Sequence, residues 1–205
     1  NCVVTNMKIF ILLIFLGALS LAFAETSKEQ GCLNVTAKEN FEPKKFFKGT
    51  WYLTNLPLTS AASPTDVCRY STGDLLEDDT IIHNVHFYSD KSKPEFSVMN
   101  CTIQLKDVDD HGKVPLHCKR QKDGKIKEFD LEVTVLETDY DHFAVYNVCG
   151  KTVGTSHIII LNRDKDGEPT DPRIAESLKK HGLDLNMFMS RKNVKCKEHP
   201  DTISN

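Results

Sequence analysis

His83 and His86 share an apolar-rich segment, Ile81 to Phe87. A neutral imidazole on a strand is a good metal ligand. Ile81, His83, Val85 and Phe87 form the more apolar face, so His86 would point outward if that face is inside. Four acids, Asp66, Glu77, Asp78 and Asp79, offer carboxylates for a cationic amine near the mouth of a binding cleft; as a loop they read as solvated charge. The basic stretch Lys119-Arg120-Gln121-Lys122 reads as a solvated turn. The histidines at 111, 117, 142, 157, 181 and 199 are scattered singly. No serine lies in a G-x-S-x-G elbow. Neither H-E-x-x-H nor a P-loop occurs. These residues point to binding rather than catalysis, with no catalytic set, metal or cofactor expected.

The cysteines are of the structural kind. Apart from Cys2, they form an even set: Cys32, Cys68, Cys101, Cys118, Cys149 and Cys196. In a secreted chain an even set implies disulfides. No C-x-x-C occurs, so zinc and redox readings are poor. Spacing alone leaves every connectivity open. Two sequons, Asn34-Val35-Thr36 and Asn100-Cys101-Thr102, are candidate glycosylation sites.

Secretion is read from the start of the chain. Met7-Lys8 is a short basic start, Ile9 to Leu21 is almost wholly apolar, and Ala22-Phe23-Ala24 is a small-x-small cleavage site. The apolar run is short for a membrane span, which needs about 20 residues. Residues 1–24 are therefore expected to be leader and signal peptide, and residues 25–205 one domain. The formal charge is −3 for the whole chain and −4 without Lys8, which leaves no electrostatic footprint for nucleic acid.

The elements that must position these groups are mostly strands. Phe129, Leu131, Val133 and Val135 alternate with Asp130, Glu132 and Thr134, a period of two that gives one buried and one wet face. Further strands are expected over 50–56, 67–72, 80–88, 95–106, 114–120, 143–149 and 157–163. Asp109-Asp110-His111-Gly112 and Lys122-Asp123-Gly124 read as turns. About eight strands with short connections suit an all-β, eight-stranded antiparallel up-and-down barrel, which removes exposed edges by closure. Near the end the period changes. Residues 172–182 read as an α-helix, with Asp171 as N-cap and Gly182 as stop. Ile174 and Leu178 would pack it on the outside of the barrel.

Three motifs resemble the lipocalin signature: Gly49-Thr50-Trp51 at the first strand, Thr138-Asp139-Tyr140 in a late turn, and Arg163 ending the last long strand. Trp51 would plug the closed end, with the Arg163 guanidinium laid on its indole. From Cys32 to Cys196 the chain is similar to the triatomine salivary lipocalins, the calycin group with nitrophorins, triabin and pallidipin-like proteins. The residues that carry this likeness are Phe46-Phe47-Lys48-Gly49-Thr50-Trp51-Tyr52, Tyr146-Asn147-Val148-Cys149 and Leu161-Asn162-Arg163-Asp164-Lys165-Asp166, with Cys32 and Cys68.

The resemblance implies bridges Cys32–Cys149 and Cys68–Cys196, and it leaves Cys101–Cys118 to join neighbouring strands, as in triabin's relatives and unlike nitrophorins. It also implies a secreted, monomeric salivary protein that counters host haemostasis. The main expectation is inhibition of platelet aggregation by sequestering a small mediator: a prostanoid- or thromboxane-like lipid, a biogenic amine or a nucleotide. Alternation offers Phe129, Leu131, Val133, Val135, Phe143 and Val145 as lining of the cup. Two alternatives remain, a protein-binding inhibitor of a coagulation protease such as thrombin and a haem-borne nitric oxide carrier, for which the likeness to nitrophorins implies His86, 18 residues after Cys68, as the haem ligand. No membrane or nucleic-acid partner is expected.

Overall fold

The structure, a computed structural model, describes residues 31–59, 61–89, 95–122 and 124–197. The expected leader, residues 1–24, lies outside them. A short helix α1 (Pro43–Phe46) precedes strands β1 (Gly49–Pro57), β2 (Tyr70–Leu75), β3 (Thr80–Ser89), β4 (Glu95–Gln104), β5 (Lys113–Lys122), β6 (Lys125–Thr138), β7 (Phe143–Gly150) and β8 (Thr155–Asn162). Helix α2 (Pro172–Lys180) and a short strand β9 (Phe188–Ser190) follow.

Each strand of the meander pairs antiparallel with the next, and β1 closes the cylinder by pairing with both β2 and β8. The result is an eight-stranded antiparallel barrel of the lipocalin type, with α2 packed outside. The upper part of β1 also pairs with β9. Closure leaves no long unpaired edge on the eight strands.

One strand start and one strand end differ from the expected bounds. Residues 64–67 form a 3-10 turn, and β2 begins at Tyr70. Pro64 fits the first helical position, and the Asp66 carboxylate accepts the Ser63 amide at 2.8 Å. Strand β4 ends at Gln104, where a 3-10 turn over Leu105–Asp107 takes over.

The barrel has two apolar layers. The inner one includes Trp51, Ile81, Ile103, Val114, Val133 and Ala144. The outer one lies between the wall and α2, where Ile174 and Leu178 meet Phe143, Val145, Ile158 and Ile160. Helix α2 starts at Asp171, whose carboxylate accepts the Arg173 amide at 2.9 Å. Because α2 covers the outside, β7 and β8 are apolar on both faces.

Three disulfides fasten the described residues. Cys32–Cys149 ties the N-terminal segment to β7, and Cys68–Cys196 ties the segment before β2 to the tail. Cys101–Cys118 links directly paired residues of β4 and β5, with Cα atoms 4.0 Å apart.

Candidate functional site

The floor of the barrel is an aromatic stack. Phe46, delivered by α1, lies over the Trp51 ring at 5.2 Å and over Tyr146 at 5.8 Å. The indole N–H donates to the Phe46 carbonyl at 2.7 Å. Gly73 lets the chain pass here, because a Cβ on it would lie 1.7 Å from the Phe47 carbonyl oxygen.

Arg163 seals the stack from below. Its guanidinium carbon sits 3.7 Å from the Trp51 ring centroid. It donates to the carbonyls of Tyr140, Lys48, Thr50 and Phe46 at 2.8–3.2 Å. Burial lowers the Arg163 pKa to about 10, against the pull of Asp141 and Asp139. Gly49 takes φ +74°, a backbone conformation that L side chains rarely adopt.

The Thr138-Asp139-Tyr140 turn completes the closed end. Thr138 Oγ1 donates to the Phe143 carbonyl at 2.6 Å. The Asp139 carboxylate accepts the amides of Asp141, His142 and Phe143. Burial opposes ionisation of Asp139, but the hydrogen bonds from His142 and Phe143 outweigh it and hold the carboxyl below its usual range. The Tyr140 hydroxyl accepts the Glu42 amide at 3.0 Å and so anchors the approach to α1.

Above this floor lies a cavity of about 440 Å³, reaching up to Thr152 and Val153 in the β7–β8 turn. That volume falls within the roughly 300–1,000 Å³ of small-molecule sites. Leu53, Val85, Phe87, Met99, Leu116 and Ile159 supply much of the apolar wall. The polar exceptions include Arg69, Ser71, His83 and Arg120.

Of the residues offered as cup lining, Phe129, Leu131 and Val133 line this cavity. Val135 packs in the inner core instead. Phe143 and Val145 face outward, under α2, which corrects the expectation. On β7 the inward residues are Ala144, Tyr146 and Val148, because Tyr146 and Val148 pair with Val135 and Val133.

The acids are not where an amine site needs them. Glu77, Asp78 and Asp79 lie in the exposed β2–β3 turn at the closed end, where Asp79 meets Lys44 at 2.6 Å. Asp66 is engaged by the Ser63 amide and by Arg69 at 3.4 Å.

The stretch read as a solvated turn belongs to β5, and Arg120 points into the cup; only alternation along β5, with Leu116 and Cys118, signalled this in the sequence. Both sequon asparagines are exposed. Asn34 lies outside the strands, whereas Asn100 sits on β4 and donates to Asn84 at 2.8 Å.

The chain matches a family model described as Nitrophorin over residues 32–205. It belongs to the nitrophorin family. Members are lipocalin-like ligand-binding carriers, and the chain is accordingly a binding protein rather than an enzyme. It is 30% identical over 204 residues to triafestin-1 of Triatoma infestans, covering 95% of this chain and 96% of that one. It is 29% identical over 197 residues to the platelet inhibitor triplatin-2 of Triatoma infestans, covering 93% of this chain and 100% of the relative. Its fold resembles the amine-binding protein of Rhodnius prolixus, solved with tryptamine, at a TM-score of 0.73 and 24% identity, covering 84% and 93% of the two chains.

Haem, which the family name implies, does not fit this nitrophorin-family cup through the expected ligand. His86 is on the outer face, stacked on Tyr70 with ring centroids 4.4 Å apart. His83 is the inward histidine of β3, but Phe47 stands edge-on to its ring at 5.2 Å and fills the space beside it. Burial, and then the neighbouring His86, push the His83 pKa down to about 4, so it is neutral near pH 7.

Proposed function

We propose that this chain is a secreted salivary lipocalin that blunts host haemostasis by holding a small apolar mediator in its cup. One observation carries the reading: an apolar cavity of about 440 Å³ stands above the Trp51 floor. Stoichiometric capture would lower the free mediator seen by platelets. The names of relatives such as the platelet inhibitor triplatin-2 agree with that role. The three disulfides suit an extracellular setting. The protein would act as a monomer. Among the mediators considered, the wall favours a lipid-like molecule. An amine would find no free carboxylate in the cup: Asp130, which lines the cavity, is engaged by His117 at 2.8 Å, and Glu77, Asp78 and Asp79 lie at the opposite end.

A second reading, inhibition of a coagulation protease by surface binding, draws on the exposed tip Leu75-Leu76-Glu77-Asp78-Asp79. Such an acidic and apolar knob is complementary to a basic protein patch. A thrombin-dependent clotting assay separates the two.

The decisive experiment is native mass spectrometry of the purified protein for retained ligand, followed by calorimetric titration with a mediator panel. One-to-one binding, with loss of platelet aggregation to the same mediator, supports capture. No binding to any member removes it.

A further inference from the structure

Arg69 and Arg120 occupy one layer of the cup. Arg120 pairs with Met99 across β4–β5, and Phe87 pairs with Ser97 across β3–β4. The Arg120 guanidinium carbon lies 4.5 Å from the Phe87 ring centroid, and that of Arg69 lies 5.2 Å from it. Two cations thus flank one aromatic ring inside a mostly apolar cavity, whose other polar lining includes Ser71, His83 and Asp130.

Their charges are unequally met. Arg69 has Asp66 at 3.4 Å. Arg120 donates to the neutral Ser97 hydroxyl at 2.7 Å, and no carboxylate pairs with it among the described residues. Its Nε is buried without a hydrogen-bond partner. The pair also repel: burial lowers the Arg69 pKa, Asp66 raises it, and the Arg120 charge lowers it further. A partly buried guanidinium left without a counter-charge is costly. Its fork of donors is shaped for carboxylate or phosphate oxygens.

We propose that Arg120, with Arg69, is the head-group subsite of the cup, and that the ligand is an apolar chain ending in an anionic oxygen group. The inference rests on the capture reading above and adds the sign of the ligand's charge. The tail would lie over Val85, Met99 and Leu116 toward the Trp51 floor, with the head beside Phe87. Cationic amines are rejected, because they would meet two guanidinium groups. In this the chain differs from its structural neighbour that binds tryptamine.

Titration compares oleate, methyl oleate, 1-oleoyl lysophosphatidate, tryptamine and the neutral probe N-phenyl-1-naphthylamine, on wild type, Arg120→Gln, Arg120→Lys and Arg69→Gln. The neutral probe binds wild type and all variants alike. Oleate or the lysophosphatidate binds wild type at least about ten-fold tighter than methyl oleate, and the tighter of the two identifies the head group. Arg120→Gln removes that preference, Arg120→Lys restores part of it, and the thermal midpoint of the empty Arg120→Gln protein is unchanged or higher. Tryptamine does not bind. Equal affinity for acid and ester, or equal loss of both in Arg120→Gln, overturns the head-group subsite while leaving the cup intact. Failure of the neutral probe and of every lipid overturns capture itself.

Discussion

The guanidinium carbon of Arg163 lies 3.7 Å from the ring centroid of Trp51, and the two side chains share one acceptor, the Phe46 carbonyl. The contact joins the end of β8 to the start of β1 and fixes α1 as the floor. A flat cation with several donors can satisfy an indole face and four carbonyls at once.

Replacing Arg163 with Met keeps the bulk and removes the charge and donors. The expected loss is about 2–4 kcal/mol of stability, since the carbonyls lose charge-assisted bonds in a partly buried site. Denaturation followed by the emission of the single tryptophan measures it. Arg163→Lys should recover only a part, because one ammonium cannot span the four acceptors.

Gly73→Ala should be more damaging than its size suggests. The new Cβ would meet backbone, the Phe47 oxygen at 1.7 Å, which no rotamer change can relieve. A loss above about 3 kcal/mol, or no folded yield, is expected. Gly31→Ala, which meets nothing within 4 Å, serves as the neutral control. Circular dichroism melts of the two variants decide the point.

His83 should make stability fall in mild acid. Its pKa is near 4 in the folded protein and near 6.5 when unfolded. The unfolded chain therefore binds the proton first, and the contribution is complete above about pH 6.5 and lost as pH drops toward 4. The full effect is about 3 kcal/mol. His83→Phe should flatten the slope between pH 6.5 and 4 in urea titrations. The Asp139 carboxyl, held below its usual range, acts in the same direction at lower pH and is left unchanged by the variant.

Removing the inner-wall bridge with Cys101→Ser and Cys118→Ser should cost about 3 kcal/mol, as expected for a loop of this length. The barrel pairing of β4 with β5 should survive. Guanidinium midpoints of the oxidised wild type and the double variant give the comparison. An unchanged midpoint would mean that the strand pairing alone holds this wall.

Much of the architecture was legible in the chain. Trp51, Thr138-Asp139-Tyr140 and Arg163 are read from their resemblance to the lipocalin signature, and in the fold they meet as a plug, a hydrogen-bonded turn and a cation at the closed end. Alternation in Phe129, Leu131 and Val133 likewise located part of the cup wall, where one face of β6 is wet and the other dry.

Only the folded molecule settled the remaining orientations. Phe143 and Val145 look like lining in the sequence, yet they face α2, since a strand covered on both sides has no polar face to mark the outside. The order Lys119-Arg120-Gln121-Lys122 looks like solvated charge, yet alternation turns Arg120 inward while Lys119 stays out with Glu128 at 2.8 Å. Glu77, Asp78 and Asp79 likewise carry no mark of which end of the barrel they occupy. A one-dimensional pattern fixes which residues share a face. Which face is inside, and at which end, follows from closure and from the helix laid against the wall, both of which depend on contacts far apart in the chain.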